Sequence, residues 1–158
     1  MLAVGSLLAG TVAAATLQVG PGQAYTTIQA AIDAAATGDH VVIADGTYTG
    51  SGNVDLDTLG KAITVRSENG PESCIIDCER LARGFMFQNE ETENTIIMGI
   101  TITLGADDFG GAVYVDSGTP HFENCTLDDN LSVNSGGAIL VDTDASLSMT
   151  NCRILNNE

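Results

Sequence analysis

Two aspartates recur at the same place in a repeated segment of this chain. The first copy, GGAVYVD, ends at Asp116, and the second, GGAILVD, ends 26 residues further on at Asp142. If the copies stack as turns of a solenoid, the two carboxylates lie about 5 Å apart, which is costly unless a cation or a proton intervenes. The pair predicts a calcium site, with Asp144 or Asp107 as a further oxygen ligand. The alternative is two exposed side chains that point apart in water, where screening weakens their repulsion.

Four cysteines are candidates for disulfides or for metal binding. Cys74 and Cys78 are four strand residues apart, roughly 13 Å, which is too far for a bridge. Cys125 and Cys152 occupy equivalent repeat positions, so stacking brings their Cα atoms within disulfide range; a buried column of free thiols is the alternative. No C-x-x-C motif or neighbouring histidine completes a metal site in the sequence.

The elements that must position these residues are short strands that follow a single helix. An apolar stripe from Ile28 to Ala35, a capping-box pattern at Thr26 and Gln29 and a stop at Gly38 predict one amphipathic helix over residues 26–36. Short runs of β-branched and apolar residues, separated by Gly, Asn and Asp, predict strands after it. The predicted strands cover residues 41–44, 63–65, 74–76, 85–87, 96–102, 112–115, 122–127, 138–141 and 147–154.

The repeats indicate how these strands are arranged. A sandwich alternates the direction of its strands and needs no residue-level identity at a fixed period, whereas stacked turns place equivalent side chains directly above each other. Stacking also predicts amide ladders in which Asn124 lies over Asn151 and Asn130 lies over Asn157. The predicted fold is therefore an all-β parallel β-helix, or solenoid, with one N-terminal capping α-helix.

The composition excludes several classes of protein. The 158 residues include 21 acidic and 5 basic ones, for a formal net charge of -16, which repels phosphate backbones and anionic lipids. Nucleic acid is therefore excluded as a partner. The 44% of hydrophobic residues is too high for a disordered acidic chain, so the charge must lie on a folded surface.

The first 15 residues read as the remnant of a signal peptide. An apolar run precedes Ala13-Ala14-Ala15, an A-x-A cleavage pattern, although a basic segment is missing. The run is too short to span a bilayer, so no transmembrane segment is predicted. We divide the chain into a signal remnant at residues 1–15 and a parallel β-helix domain at residues 16–158, and we predict an exported protein. The run at residues 152–155 would leave a rung edge exposed, which predicts a C-terminally incomplete domain with further β-helix coils or an oligomeric partner at that edge.

Two sets of motifs carry a resemblance to known proteins. The segment TIQAAI at residues 27–32, followed by VIADGTY at 42–48 and KAITVRS at 61–67, resembles the right-handed parallel β-helix proteins of the pectin-lyase-like superfamily. The GGA units, followed by LxxN at 127–130 and IxxN at 154–157, resemble polymorphic outer-membrane protein repeats of the form GGA[ILV] and FxxN. The resemblance implies an all-β, right-handed parallel β-helix in a bacterial protein that is secreted or displayed on the cell surface.

The resemblance also implies chemistry on acidic polysaccharides. A lyase needs a base, often Arg or Lys, that removes the proton next to a uronate carboxylate while Ca²⁺ neutralises that carboxylate. Lys61 and Arg66 flank a predicted strand, and Arg80 and Arg83 fall in a predicted surface loop. Solvated surface charges are the simpler interpretation of these four residues. The five basic residues of the chain are Lys61, Arg66, Arg80, Arg83 and Arg153.

The hydrolase chemistry of the same scaffold needs two carboxyls at a fixed spacing across a sugar. The pairs Asp107-Asp108 and Asp128-Asp129 read as solvated turn residues, because neighbours in a strand face opposite ways. His40 and His121 have no recognisable partner in the sequence, and His121, after Pro120, is predicted to begin a strand.

We therefore assign no catalytic and no cofactor-binding residue from the sequence. The predicted function is that of a secreted or cell-surface β-helix repeat protein with a structural, adhesive or glycan-binding role, whose partners are polysaccharides or the extracellular matrix. Two alternatives stay open: a polysaccharide lyase or hydrolase of the pectin-lyase-like fold, and a calcium-binding surface module. An Arg or Lys above a carboxylate cluster on one face would favour the enzyme.

Overall fold

The computed structural model describes residues 13–158. The predicted signal remnant lies outside the described residues except for Ala13, Ala14 and Ala15, which are exposed and belong to no helix or strand. The described part contains one helix, α1, at Ile28–Ala34. The strands are β1 Thr16–Val19, β2 His40–Ile43, β3 Gly46–Tyr48, β4 Thr64–Ser67, β5 Cys74–Asp77, β6 Phe85–Phe87, β7 Ile96–Met98, β8 Thr101–Thr103, β9 Ala106–Phe109, β10 Val113–Val115, β11 His121–Glu123, β12 Thr126–Asp128, β13 Leu131–Ser135, β14 Ile139–Val141, β15 Ser148–Thr150 and β16 Arg153–Leu155.

Parallel pairing arranges these strands in four stacks. A six-stranded sheet has the order β1-β2-β4-β7-β11-β15, and a five-stranded sheet has the order β3-β5-β8-β12-β16. A three-stranded sheet, β6-β10-β14, and a two-stranded sheet, β9-β13, complete the walls. All strand pairs of residues 13–158 are parallel, so the chain winds as a β-solenoid of about 5 turns. The predicted all-β solenoid with a single short helix near its N-terminus is confirmed.

The repeated segments lie on adjacent turns in the predicted register. Within β10 and β14, Tyr114 pairs with Leu140, so the GGAVYVD and GGAILVD copies stack position by position. Leu127 of β12 pairs with Ile154 of β16 in the same way. Because each strand has two faces with period two, this register places equivalent residues of successive turns on the same side of the wall.

Three of the predicted strands are each divided by a corner. Gly99, Asn124 and Asn151 have φ values of 66°, 51° and 54°, and each separates a strand of the six-stranded sheet from one of the five-stranded sheet. These left-handed residues turn the chain without an intervening loop, a conformation that Gly and Asn adopt more readily than other residues. The register places Asn124 over Asn151 as predicted, but both are exposed and no hydrogen bond joins their side chains within residues 13–158.

The second predicted amide ladder is present. Asn130 is 1% exposed, and its Nδ2 donates to Oδ1 of Asn157 at 2.9 Å. Asn157 Nδ2 in turn donates to the carbonyl oxygen of Leu127 at 3.0 Å. Asn130 Oδ1 accepts from the backbone N–H of Gly105 at 2.8 Å, so this side chain connects three turns of the solenoid.

The helix is shorter than predicted and is capped by a distant residue. Thr27 stands at the N-cap without a side-chain hydrogen bond. The backbone N–H of Ile28 instead donates to Oδ1 of Asn53 at 3.0 Å. Gln29 exchanges two hydrogen bonds with the backbone of Asp57, so the capping box predicted for Thr26 and Gln29 is wrong. The next turn of the solenoid supplies the polar partners that a local motif would otherwise provide.

Lys61 stabilises the other end of α1. Its Nζ donates to the carbonyl oxygens of Ile32 and Asp33 at 2.8 and 2.9 Å. A cation at a helix C-terminus satisfies carbonyls that lack intrahelical partners. Lys61 is therefore part of the cap rather than the solvated surface charge predicted from the sequence. Ile28, Ala31 and Ile32 of α1 are fully buried, and the helix packs on β1 and β2.

Three phenylalanines fill the interior of the middle turns. The rings of Phe85 and Phe87 are stacked with centroids 5.9 Å apart. Phe122 meets both rings edge-on, at 6.1 and 5.9 Å. All three side chains are fully buried, and such aromatic pairs contribute beyond the area they bury.

Candidate functional site

The outer surface of the β6-β10-β14 sheet carries an apolar row. Met86, Tyr114 and Leu140 are in register at the centres of the three strands, and each is half-buried. Phe109, the last residue of β9, is 44% exposed, and its ring centroid lies 6.5 Å from that of Tyr114. We call these four residues the Tyr114 face. Sequence reasoning missed Phe109, because the segment ADDF reads as a turn rather than as a strand.

The two repeated aspartates lie at the edge of the Tyr114 face. The hydroxyl oxygen of Tyr114 is 3.1 Å from Oδ1 of Asp116 and 3.1 Å from Oδ2 of Asp142. The predicted stacking of the two aspartates is therefore present, with a hydroxyl placed between them. The Tyr114 hydroxyl has one proton and donates it to one carboxylate at a time. The other carboxylate then stays close to a group of like charge without a donor of its own.

This arrangement changes the acidity of the groups that form it. Burial, and after it the neighbouring carboxylates, raises the pKa of Tyr114 to about 12. The backbone N–H of Thr143, and after it the Tyr114 hydroxyl, lowers the pKa of Asp142. Tyr114 is therefore a proton donor and Asp142 an acceptor over the whole physiological range of pH.

The remaining residues of the predicted calcium site lie apart from the pair. Asp144 is exposed. Asp107 is engaged in an ion pair elsewhere. Across the described residues, no group of three or more His, Cys, Asp or Glu side chains converges to hold a metal ion. The calcium site stays a prediction, resting on Asp116 and Asp142.

Arg83 lies against the Tyr114 face, and the structure corrects its predicted place in a surface loop. Its side chain is 11% exposed, and its Cζ lies 5.3 Å from the centroid of the Tyr114 ring. Nη2 contacts Oδ1 of Asp107 at 2.5 Å, Nη1 donates to the carbonyl oxygen of Phe109 at 3.0 Å, and Nε lies 3.6 Å from Oδ1 of Asp55. An Arg thus lies beside two carboxylates, the arrangement expected to favour an enzyme. Nη1 and Nη2 are engaged by Phe109 and Asp107, however, while Nε is buried without a hydrogen-bond partner, so the evident role of Arg83 is to support Tyr114 and β9.

Arg66 is placed differently from Lys61, Arg80 and Arg83. Arg80 pairs with Asp129 at 2.6 Å, and Lys61 caps the helix. Arg66 has no ion pair within residues 13–158, and its Nη1 donates to the carbonyl oxygen of Ser67 at 3.1 Å. It lines an open cleft of about 300 Å³. The other lining residues are Ser67, Glu68, Asn69, Gly70, Met98, Gly99 and Asn124.

His121 and a cavity near α1 are two further places with polar side chains. His121 begins β11 as predicted, and its Nδ1 lies 2.7 Å from Oγ of Ser148, a partner that only the register of β11 and β15 reveals. A cavity of about 460 Å³ lies beside Asp45, Tyr48 and Asn53. Tyr48 donates to the carbonyl of Ala44, and Asn53 caps α1, so these polar groups of the cavity serve the fold.

The fold and the site define a parallel β-solenoid with an aromatic outer face edged by carboxylates. Comparisons with protein families, with curated proteins and with solved structures find no match to this chain. In the part of the chain that the structure describes, no helix has the length and apolar character needed to cross a membrane.

Proposed function

We propose that this chain is a secreted or cell-surface β-helix protein that binds glycans through the Tyr114 face. The observation that supports the proposal is an exposed aromatic and apolar surface with two carboxylates, Asp116 and Asp142, at its edge. The face of an aromatic ring attracts the polarised C–H groups of a sugar ring, and carboxylates accept strong hydrogen bonds from hydroxyls. An open sheet surface suits an extended chain of sugars, because small ligands are usually held in enclosed pockets.

The net charge of the chain limits the class of glycan that we expect it to bind. The formal net charge of -16 disfavours polymers rich in carboxylate or sulfate groups. Arg83, which lies against the face, is already paired with Asp107 and contacts Asp55, so it offers no free cation to an anionic sugar. The proposed ligand is therefore a neutral polysaccharide.

The sequence motifs support the wider role in this proposal. The TIQAAI and VIADGTY segments resemble secreted proteins of the pectin-lyase-like superfamily, and the GGA units resemble repeats of polymorphic outer-membrane proteins. The A-x-A pattern at Ala13–Ala15 is consistent with export. A rigid solenoid that presents one ligand-binding face fits an adhesive or structural role outside the cell.

The proposal is tested by measuring the binding of soluble neutral glucans, mannans and galactans to the purified chain by calorimetry, with polygalacturonate in parallel. We expect a neutral polymer to bind, and Tyr114→Ala to weaken that binding about tenfold or more, because truncating a central aromatic residue of an interface has a large cost. Leu59→Ala is the matched control, since Leu59 is also exposed but lies in the loop between β3 and β4. Equal binding by Tyr114→Ala and the unmodified chain would contradict the proposal, as would binding of the acidic polymer alone.

A second candidate function, a polysaccharide lyase, is favoured by the position of Arg66. An Arg that is free of carboxylate partners, in a cleft with Glu68 and Asn124, has the freedom that a base acting on an acidic sugar requires. In such a reaction Ca²⁺ would neutralise the substrate carboxylate. We propose the cleft as the site of the chemistry if the chain acts on uronic-acid polymers.

The lyase is tested by following the unsaturated product by ultraviolet absorbance on a panel of uronic-acid polysaccharides with millimolar Ca²⁺. Activity that disappears on chelation and in Arg66→Ala, and persists in Arg80→Ala, would support it. Reducing ends measured in parallel detect a hydrolase, which forms no unsaturated product. Silence in both assays would reject this candidate and leave the glycan-binding proposal to its own test.

A further inference from the structure

Two cysteines occupy equivalent corners on adjacent turns. Cys125 follows the left-handed Asn124, and Cys152 follows the left-handed Asn151. The flanking strands hold the corners in register, because β11 pairs with β15 and β12 pairs with β16. The backbone N–H of Cys125 lies 3.4 Å from Sγ of Cys152. The two thiols are thus adjacent, in an arrangement that the surrounding sheets impose.

The two thiols differ in exposure and in hydrogen bonding. Cys125 is 1% exposed, and its Sγ contacts the carbonyl oxygen of Ile97 at 3.5 Å. Cys152 is half-buried and packs against the same core, so its sulfur is the more accessible of the two. The interaction between the two thiols lowers the pKa of Cys152 to about 6 and raises that of Cys125. Cys152 therefore has the properties of an attacking thiolate and Cys125 those of a resolving thiol behind it.

We propose that Cys125 and Cys152 form a redox-active pair that small-molecule disulfides convert to an intrachain disulfide, linking the β15–β16 turn to the β11–β12 turn. The Cys152 sulfur attacks one sulfur of the small disulfide, whose other half leaves as a thiolate and takes up a proton. Cys125 then loses its proton, attacks the Cys152 sulfur of the mixed disulfide and displaces the second half. Two protein thiols are oxidised to one disulfide, and one small disulfide is reduced to two thiols.

The other cysteines of the chain provide an internal comparison. Cys74 and Cys78 are both buried, and burial raises the pKa of each thiol to about 12. They lie at the start and just beyond the end of β5, too far apart to bridge. Neither of them combines a partly accessible sulfur with a neighbouring thiol, so both should remain reduced while the pair reacts.

The test uses the full chain under native conditions with hydroxyethyl disulfide, followed by unfolding, alkylation and intact-mass measurement. We expect two of the four cysteines to escape alkylation, the protein to lose two hydrogens, and peptide mapping to join Cys125 to Cys152. Four alkylated cysteines after a long incubation would overturn the proposal. So would a mixed disulfide that accumulates without closing, or a bridge to Cys74 or Cys78.

Single substitutions separate the two roles. Cys125→Ser should stop at a mixed disulfide on Cys152, whereas Cys152→Ser should leave Cys125 unreacted, because its sulfur is buried. Cys78→Ala is the matched control, because it removes a buried thiol outside the pair. This variant should still oxidise Cys125 and Cys152 to a disulfide. A Cys152→Ser chain that forms a mixed disulfide at Cys125 would contradict the assignment. Circular dichroism identifies any variant that fails to fold, and the mapping of the unmodified chain then decides the question.

Discussion

The inner and outer sides of the β6-β10-β14 sheet share one strand register but carry different kinds of residue. On the inner side, Phe85 and Phe87 of β6 are fully buried and pack in the aromatic cluster. On the outer side, Met86 and Tyr114 form a row that remains half-exposed. Residues adjacent in sequence thus belong to the core and to the candidate binding surface, because strand side chains alternate. Substitutions at neighbouring positions should therefore separate stability from binding.

The largest expected effect is the loss of an inner aromatic side chain. Phe87→Ala should lower the free energy of unfolding by about 3–5 kcal/mol, because it removes a buried ring that contacts both Phe85 and Phe122 and leaves a cavity. Urea denaturation measures the change. Met86→Ala is the matched control from the same strand, and its cost should be much smaller because that side chain is half-exposed. Equal costs for the two variants would show that the two sides of the sheet do not differ as described.

A smaller effect is expected at the buried amide ladder. Asn130→Ala removes the acceptor for the Gly105 N–H and the donor to Asn157, and it should cost about 1–3 kcal/mol because buried polar groups lose their partners. Asn69→Ala is the control, since the exposed Asn69 amide bonds only to Asp45 and should change stability by less than about 0.5 kcal/mol. Urea midpoints of both variants check the prediction. A tolerated Asn130→Ala would show that the turns do not depend on this side chain.

The sequence predicted the stack better than it predicted the corners. Repeated GGA and LxxN segments indicate stacked turns, and the observed register confirms this. Alternation of apolar residues cannot mark a corner, because Asn124 and Asn151 continue the strand pattern on both sides while their backbone turns. The strand β9 was missed because ADDF lacks the apolar alternation of a strand, and its pairing with β13 becomes visible only in the folded chain.

The candidate site was predictable only where it repeats. Asp116 and Asp142 appear in both copies of the segment, so their proximity follows from the period. Tyr114 has Leu140 as its counterpart, and no repeat signal identifies it as the group that bonds both carboxylates. Arg83 approaches Tyr114 from the segment just before β6, which is the strand paired with β10, a contact that only the folded chain reveals.

Removing one hydroxyl tests the polar edge of the Tyr114 face. Tyr114→Phe should lower stability at pH 7, because the two carboxylates lose their shared donor. Asp142 has a lowered pKa, so its stabilising contribution is present above its ordinary value of 3.8 and is lost as the pH falls through the folded value. The difference between the unmodified chain and Tyr114→Phe should therefore shrink between pH 7 and pH 3. Urea midpoints at the two pH values measure it, with Tyr25→Phe as the control.

The smallest expected effect is stabilisation by calcium. If Asp116 and Asp142 bind Ca²⁺, millimolar Ca²⁺ should raise the melting temperature by mass action, since the ion binds only when the turns are stacked. Tyr114→Phe should increase this rise, because the hydroxyl no longer competes for the two carboxylates. Asp142→Asn should abolish it, and Mg²⁺, which demands tighter octahedral geometry, should substitute poorly.

The calcium experiment also distinguishes two ways in which the repulsion between Asp116 and Asp142 could be relieved. One is a bound cation and the other is the proton of the Tyr114 hydroxyl. A melting temperature unchanged by millimolar Ca²⁺, in both the unmodified chain and Tyr114→Phe, would reject the cation and leave the Tyr114 proton as the only bridge between Asp116 and Asp142. A rise that survives Asp142→Asn would place the ion elsewhere on this acidic chain. A rise confined to chains that keep both aspartates would make the edge of the Tyr114 face a cation-dependent surface, and glycan binding should then be measured with and without Ca²⁺.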